Sequence, residues 1–127
     1  MRLRENELAS VVVDAALKVH KALGPGLLES VYQKVLAHEL RRRELTVESE
    51  VSVPVVYDSV QLETAFRADL IINHCLLVEL KSIEEVQPVH QKQVLTYLKL
   101  TGLKLGLLIN FNEELIKNGI HRIVNGL

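Results

Sequence analysis

Asp69 and, ten residues later, Glu79-Leu80-Lys81 place three charged side chains inside two segments that otherwise read as buried β-strands. The run Cys75-Leu76-Leu77-Val78-Glu79-Leu80-Lys81 is apolar enough to be covered on both faces. A carboxylate there is costly unless it is paired or bound to a cation. Glu79 and Lys81 are two residues apart and so project from the same face of a strand. Two carboxylates beside an ammonium suit metal-assisted phosphodiester hydrolysis: the carboxylates hold Mg²⁺, which polarises the phosphate and activates a water, and the lysine orients that water or neutralises developing charge. A cross-strand salt bridge at a sheet edge would account for the same Glu-x-Lys pattern without catalysis.

Other polar groups stand where core residues are expected. On a helical wheel Glu29 falls between Leu36 and Leu40, inside the apolar stripe of its helix. It either serves the site or satisfies the exposed N–H groups and positive end of its own first turn. Gln93 and Tyr97 lie one turn apart on a later helix and could hold the lysine or contact a phosphate; a packed Tyr beside a solvated Gln is the plainer alternative. His90 has no second His at ligand spacing, which favours a structural or surface role over metal binding. The basic run Arg41-Arg42-Arg43 could bind phosphate or simply complement a helix C-terminus.

The elements that must position these groups follow from periodicity. Leu8, Val11, Val12, Ala15, Val19 and Leu23 recur at helical spacing, and Gly24-Pro25-Gly26 stops that helix. A second helix carries Leu28, Val31, Tyr32, Val35, Leu36 and Leu40 and ends in the arginine run. Val51, Val53, Val55 and Tyr57 alternate as a strand, with Pro54 marking an edge. Asp58-Ser59 turns into a strand from about Val60 to Ile72, and Asn73-His74 turns into the strand bearing Glu79. Pro88 opens a helix that Gly102 closes after Thr101. Lys104 to Asn110 and Gly119 to Val124 read as two more strands. A three-strand meander before a crossover helix predicts an α/β fold with a mixed central β-sheet flanked by α-helices.

The pairing of Asp69 with Glu79 is a matter of register. Placing them directly opposite leaves Asn73-His74-Cys75 as a three-residue loop, whereas a two-residue turn would pair Asp69 with Val78 and send Glu79 to the other face.

Composition narrows the class. A chain of 127 residues predicts one domain, residues 1–127, with a single core. Hydrophobic residues at 48% and charged residues at 24% exclude disorder. With 4% aromatics and no Trp, the chain lacks the stacking platform of a dedicated single-strand binder. A net charge of −1 and pI near 6.5 lack the basic balance of tight duplex binders, though a local basic patch remains open. The sole cysteine, Cys75, permits no intramolecular disulfide and suits a reducing compartment. No apolar stretch approaches the ~20 residues of a membrane span, and no apolar signal core follows Met1, so a cytoplasmic protein with no membrane partner is expected.

Gly26-Leu27-Leu28-Glu29-Ser30-Val31-Tyr32 fits Gly-x-x-Glu-x-x-Tyr, and the chain resembles the GxxExxY family of the PD-(D/E)XK nuclease superfamily from about Leu8 to Asn125. The ordered matches include His20 to Gly26, the Asp69 strand, Val78-Glu79-Leu80-Lys81, His90 to Tyr97, and Leu107 to Asn112. The resemblance implies a restriction-endonuclease-like core, Asp69 and Glu79 as ligands of Mg²⁺ or of Mn²⁺ in its place, and Lys81 as the catalytic lysine. It adds Glu29 as a further acidic residue from the helix, and Gln93 and Tyr97 as the Gln-x-x-x-Tyr pair. Asp58-Ser59 departs from a glycine turn common in such sequences. The activity implied is phosphodiester hydrolysis, in DNA ahead of RNA. A non-catalytic module binding nucleic acid or protein on the same fold is the rival. Small size suggests a homodimer that would extend the groove.

Overall fold

A computed structural model describes residues 3–127. The chain runs α1 (Glu5–Leu23), α2 (Glu29–Arg42), β1 (Val47–Tyr57), β2 (Val60–Ile72), β3 (Leu76–Lys81), α3 (Pro88–Thr101), β4 (Leu105–Asn110), a 3₁₀ turn (Ile116–Gly119) and β5 (Ile120–Val124). The five strands lie side by side in the order β1-β2-β3-β4-β5. Pairing is antiparallel through β1, β2 and β3, parallel between β3 and β4 across the α3 crossover, and antiparallel again to β5. The sheet is therefore mixed, as the meander-then-crossover pattern predicts.

Helices cover both faces. The apolar stripes of α1 and α2 pack with Leu70, Ile72, Leu76, Val78 and Leu80 and with Leu105, Leu107 and Ile109 of β4. Val94 and Leu98 of α3 pack on Ala68, Ile71, Leu77 and Leu108. Gly106 lets α3 come this close, since a Cβ there would stand 2.9 Å from Val94 Cγ1. The central strands β3 and β4 are buried from end to end save Lys81, because both their faces are covered.

The register between β2 and β3 pairs Leu70 with Val78, Ile71 with Leu77 and Ile72 with Leu76. Asn73-His74-Cys75 is thus a three-residue loop. Asn73 and His74 both adopt left-handed backbone (φ 51° and 54°), and Asn73 is fastened to the start of β1 by bonds in both directions with Thr46.

The hairpin β1–β2 changes faces partway along. Val47 and Leu70 belong to the α1/α2 side, whereas Val51, Phe66 and Ala68 pack on the α3 side, although strand alternation would keep 47 with 51 and 68 with 70. The switch falls at Glu50 and Asp69, which stand opposite each other between the pairs Ser49↔Leu70 and Val51↔Ala68, and Glu50 carries a left-handed φ of 50°. Beyond a register shift at Pro54, the hairpin continues as a largely exposed two-stranded arm to its Asp58-Ser59 turn. Asp58 adopts φ 56° there, a conformation Asp tolerates, so the turn closes without glycine.

Three sequence expectations shift. The first strand begins at Val47 rather than Val51, held by its pairing to β2 and not by its own apolar pattern. The 3₁₀ turn precedes the last strand. Glu29 is exposed and not in the core stripe, because the first turn of α2 overhangs the sheet: Leu28 is 73% exposed while Tyr32, Leu36 and Leu40 are fully buried.

Candidate active site

The β2–β3 ladder ends at Leu70↔Val78, where β2 departs with β1 while β3 stays beside β4. Asp69 and Glu79 occupy the next rung of that register and fill the opening with side chains instead of backbone bonds. Asp69 N–H donates to Glu79 Oε1 at 2.9 Å, and Leu80 N–H donates to Asp69 Oδ2 at 2.8 Å. Each carboxylate is so fixed by the other strand's backbone, through one oxygen, leaving its second oxygen uncommitted among the described residues. Strand alternation in β3 puts Glu79 on the face of Leu77, toward α3, and Lys81 shares that face, while Asp69, at the switch point of β2, meets Glu79 through the two bonds that close the opening.

The electrostatics are those of a site short of positive charge. Glu79 is 9% exposed and its carboxyl is pushed up to about 7, first by burial and then by the charge of Asp69, against the lowering effects of the Asp69 N–H and Lys81. Burial also raises Asp69, as do the charges of Glu29 and Glu50, while the Leu80 N–H and Lys81 oppose the rise. Among the described residues, Lys81 forms no salt bridge with Glu79 or Asp69. The simple edge ion pair that would explain Glu-x-Lys without chemistry is therefore not what the strand carries.

The carriage of Lys81 is tightly set. Phe111 N–H donates to Lys81 O at 2.9 Å. The buried Asn110 side chain clamps Ile83, accepting its N–H at 3.1 Å and donating to its carbonyl at 2.9 Å. Ser82 Oγ donates to Leu27 O at 2.6 Å, joining this loop to the one that leads into α2. That second loop is held by Tyr32, whose hydroxyl donates to Gly24 O at 2.6 Å and accepts Leu27 N–H at 3.1 Å. The Tyr32 ring is fully buried and stacks on Phe111, centroids 4.5 Å apart. The tyrosine of Gly-x-x-Glu-x-x-Tyr thus places the residue three before it.

That residue, Glu29, opens α2 and raises both Asp69 and Glu79 by its charge. It makes no hydrogen bond to its own first turn among the described residues, and it does not join the other two as a ligand cluster. Among the described residues, no three His, Cys, Asp or Glu side chains gather as a metal-binding group. Tyr97 reaches the site from α3, stacked on Phe66 with centroids 3.7 Å apart, and its hydroxyl is raised by burial and then by Glu79 and Asp69. Gln93, one turn earlier, is exposed. His90 is spent on the start of α3, where its Nδ1 accepts Gln87 N–H at 2.8 Å. Arg42 and Arg43 pair with Glu39 of their own helix, and Arg43 also pairs with Asp14, which ties the end of α2 to α1.

Sequence reasoning did not find Glu50, Phe66 or Asn110. Asn110 gave a usable signal, a polar residue closing an apolar strand. Glu50 gave none, since its place beside Asp69 depends on the hairpin register.

The donor set suits a hard divalent cation. Mg²⁺ takes one or two protein carboxylates and completes its shell with water and substrate phosphate, which matches two fixed carboxylates each with a spare oxygen. A cation would also offset the burial and the Asp69 charge that together lift Glu79.

Comparison with known families gives a match to the family model described as PD-(D/E)XK nuclease superfamily, over residues 6–123. Neither the curated proteins nor the solved structures gave a significant match. Among the described residues, no helix is long and apolar enough to cross a membrane.

Proposed function

The chain belongs to the PD-(D/E)XK nuclease superfamily, with the restriction-endonuclease-like arrangement of a mixed five-stranded sheet between helices, and from that premise we propose that it is a Mg²⁺-dependent nuclease hydrolysing phosphodiester bonds, in DNA ahead of RNA. The carrying observation is the reciprocal locking of Asp69 and Glu79 across the β2–β3 opening, with Lys81 on the same face. Assignment to the GxxExxY family is part of the proposal, supported by Gly26, Glu29 and Tyr32.

Asp69 and Glu79 would hold Mg²⁺, or Mn²⁺ in its place, through their uncommitted oxygens. The bound cation supplies charge to the scissile phosphate and acidity to an attacking water. Lys81 orients that water or neutralises the charge that develops on phosphate oxygen. Tyr97, rigid on Phe66, and Gln93 border the same face and contact the phosphate or the lysine. Glu29 contributes negative field at the α2 end, favouring cation entry.

A binding module without turnover is the competing reading, favoured by the net charge of −1. A cytoplasmic location accords with the absence of a membrane-crossing helix among the described residues. Self-association is supported by the hairpin arm, where Val55 pairs with Leu62 and Tyr57 with Val60, so that four apolar side chains share one face. Tyr57 is 81% exposed on it, and an isolated two-stranded ribbon is marginal in water. Incubating the protein with single-stranded, duplex and branched DNA in Mg²⁺ or Mn²⁺ tests the function. Cleavage lost in Lys81→Ala supports a nuclease; intact DNA with retained binding supports the module.

A further inference from the structure

Ser30, Gln33, Lys34, Ala37 and Arg41 recur at one-turn spacing along α2 and, with Ser49 of β1, line a groove of about 250 Å³. Its lining also includes Glu50, the residue opposite Asp69 whose charge acts on that carboxyl. Ser30 adjoins Glu29 at the same end. The groove therefore begins beside the candidate active site and leads away from it.

Its chemistry changes along its length. Next to the acidic end come hydroxyl and amide groups from Ser30, Gln33 and Ser49, and then the cations Lys34 and Arg41. These two cations differ from their neighbours. Arg42, Arg43 and Lys18 are all committed to Glu39 or Asp14, whereas no salt bridge among the described residues involves Lys34 or Arg41. Arg41 Nη2 donates to Val47 O at 2.9 Å, which fixes the guanidinium and leaves its other N–H groups available. Ala37, which is buried, brings no polar group to the stretch between Lys34 and Arg41. Seven residues separate Lys34 from Arg41, roughly 10 Å along the helix axis, too far for both to grip one small anion. Two spaced cations, with neutral hydrogen-bonding groups leading up to them from the acidic end, fit a chain of phosphates.

We infer that this groove holds the phosphodiester backbone of one substrate strand flanking the scissile phosphate, with Lys34 and Arg41 on separate phosphates and Ser30, Gln33 and Ser49 on sugar and phosphate oxygens. The inference rests on the nuclease reading and extends it by giving the strand a path. It also reconciles a near-neutral chain with a polyanionic substrate, because the positive charge is local.

The test is fluorescence anisotropy with a labelled single-stranded oligodeoxynucleotide in Ca²⁺, from about 50 to about 200 mM salt, beside cleavage kinetics in Mg²⁺. Lys34→Ala should weaken binding at least threefold and reduce the salt slope by about 0.7, the loss of one phosphate contact on a single strand. Lys34→Glu should weaken it at least tenfold. In cleavage, Lys34→Ala should raise KM and leave kcat unchanged, while Lys99→Ala on α3 changes neither. Unchanged affinity and slope in both Lys34 variants, or no binding by the wild type, overturns the groove. Lys34-dependent binding without cleavage by the wild type leaves the groove standing and sinks the nuclease reading.

Discussion

Replacing Glu79 with Gln separates a cation site from a structural ion pair. The Glu79 carboxyl rises from 4.5 to about 7 in the fold, chiefly through burial and then through Asp69. A folded pKa above the unfolded one means that the native state holds the proton more tightly. This stabilisation is fully present below about pH 4.5 and is lost as pH climbs through about 7. At ~1.4 kcal/mol per unit, the ionised group costs the apo fold roughly 3 kcal/mol above pH 7, an upper bound. Gln keeps an oxygen to accept the Asp69 N–H and carries no charge, so Glu79→Gln should stabilise the metal-free protein by up to about 3 kcal/mol at about pH 8 and by little at about pH 4.5. Urea unfolding followed by circular dichroism in EDTA at the two pH values reads this directly. If Glu79 instead neutralised a buried Lys81, its loss would strand a charge and cost about 3–5 kcal/mol. A destabilisation of that size at about pH 8 would refute the reasoning.

Mg²⁺ affinity should fall about tenfold per pH unit below about 7, since one proton on Glu79 must leave for the cation to bind; a pH-independent affinity measured by calorimetry would contradict this. Tyr32→Phe deletes the hydroxyl shared by Gly24 and Leu27 and should cost about 1–3 kcal/mol in urea unfolding, with cleavage reduced through displacement of Glu29; wild-type stability would mean that the loop is held otherwise. Tyr57→Ser with Leu62→Ser should convert a dimer to a monomer in sedimentation without loss of fold, and a wild type that sediments as a monomer at every concentration would remove the arm as an interface.

Much of this architecture was legible because punctuation and periodicity coincide. Gly24-Pro25-Gly26, Pro88 and Gly102 bound helices whose apolar spacing is regular, and the covered strands β3 and β4 are unbroken apolar runs apart from the groups that do chemistry. The three-residue loop at Asn73 could be argued from Asp69 and Glu79 needing a common face, and it is the loop observed. What sequence could not supply was the relation between elements. A helical wheel put Glu29 in the core because it carries no information on where the sheet ends. The polar run Val47-Glu48-Ser49-Glu50 has no strand signature, and only its pairing with β2 brings Glu50 beside Asp69. Lys34 carries no signal in the sequence, and the run Arg41-Arg42-Arg43 could bind phosphate or complement the helix end; only the structure separates Arg41 from Arg42 and Arg43, which are paired with carboxylates.

The central claim is that Asp69 and Glu79 together form a divalent-cation site, and Mn²⁺ titration by calorimetry tests it most directly. The account predicts saturable binding to the wild type at about pH 8, retained in Lys81→Ala and lost in both Asp69→Asn and Glu79→Gln, with all four proteins folded. Wild type that binds no Mn²⁺, or carboxylate variants that bind it as well as the wild type, would contradict it.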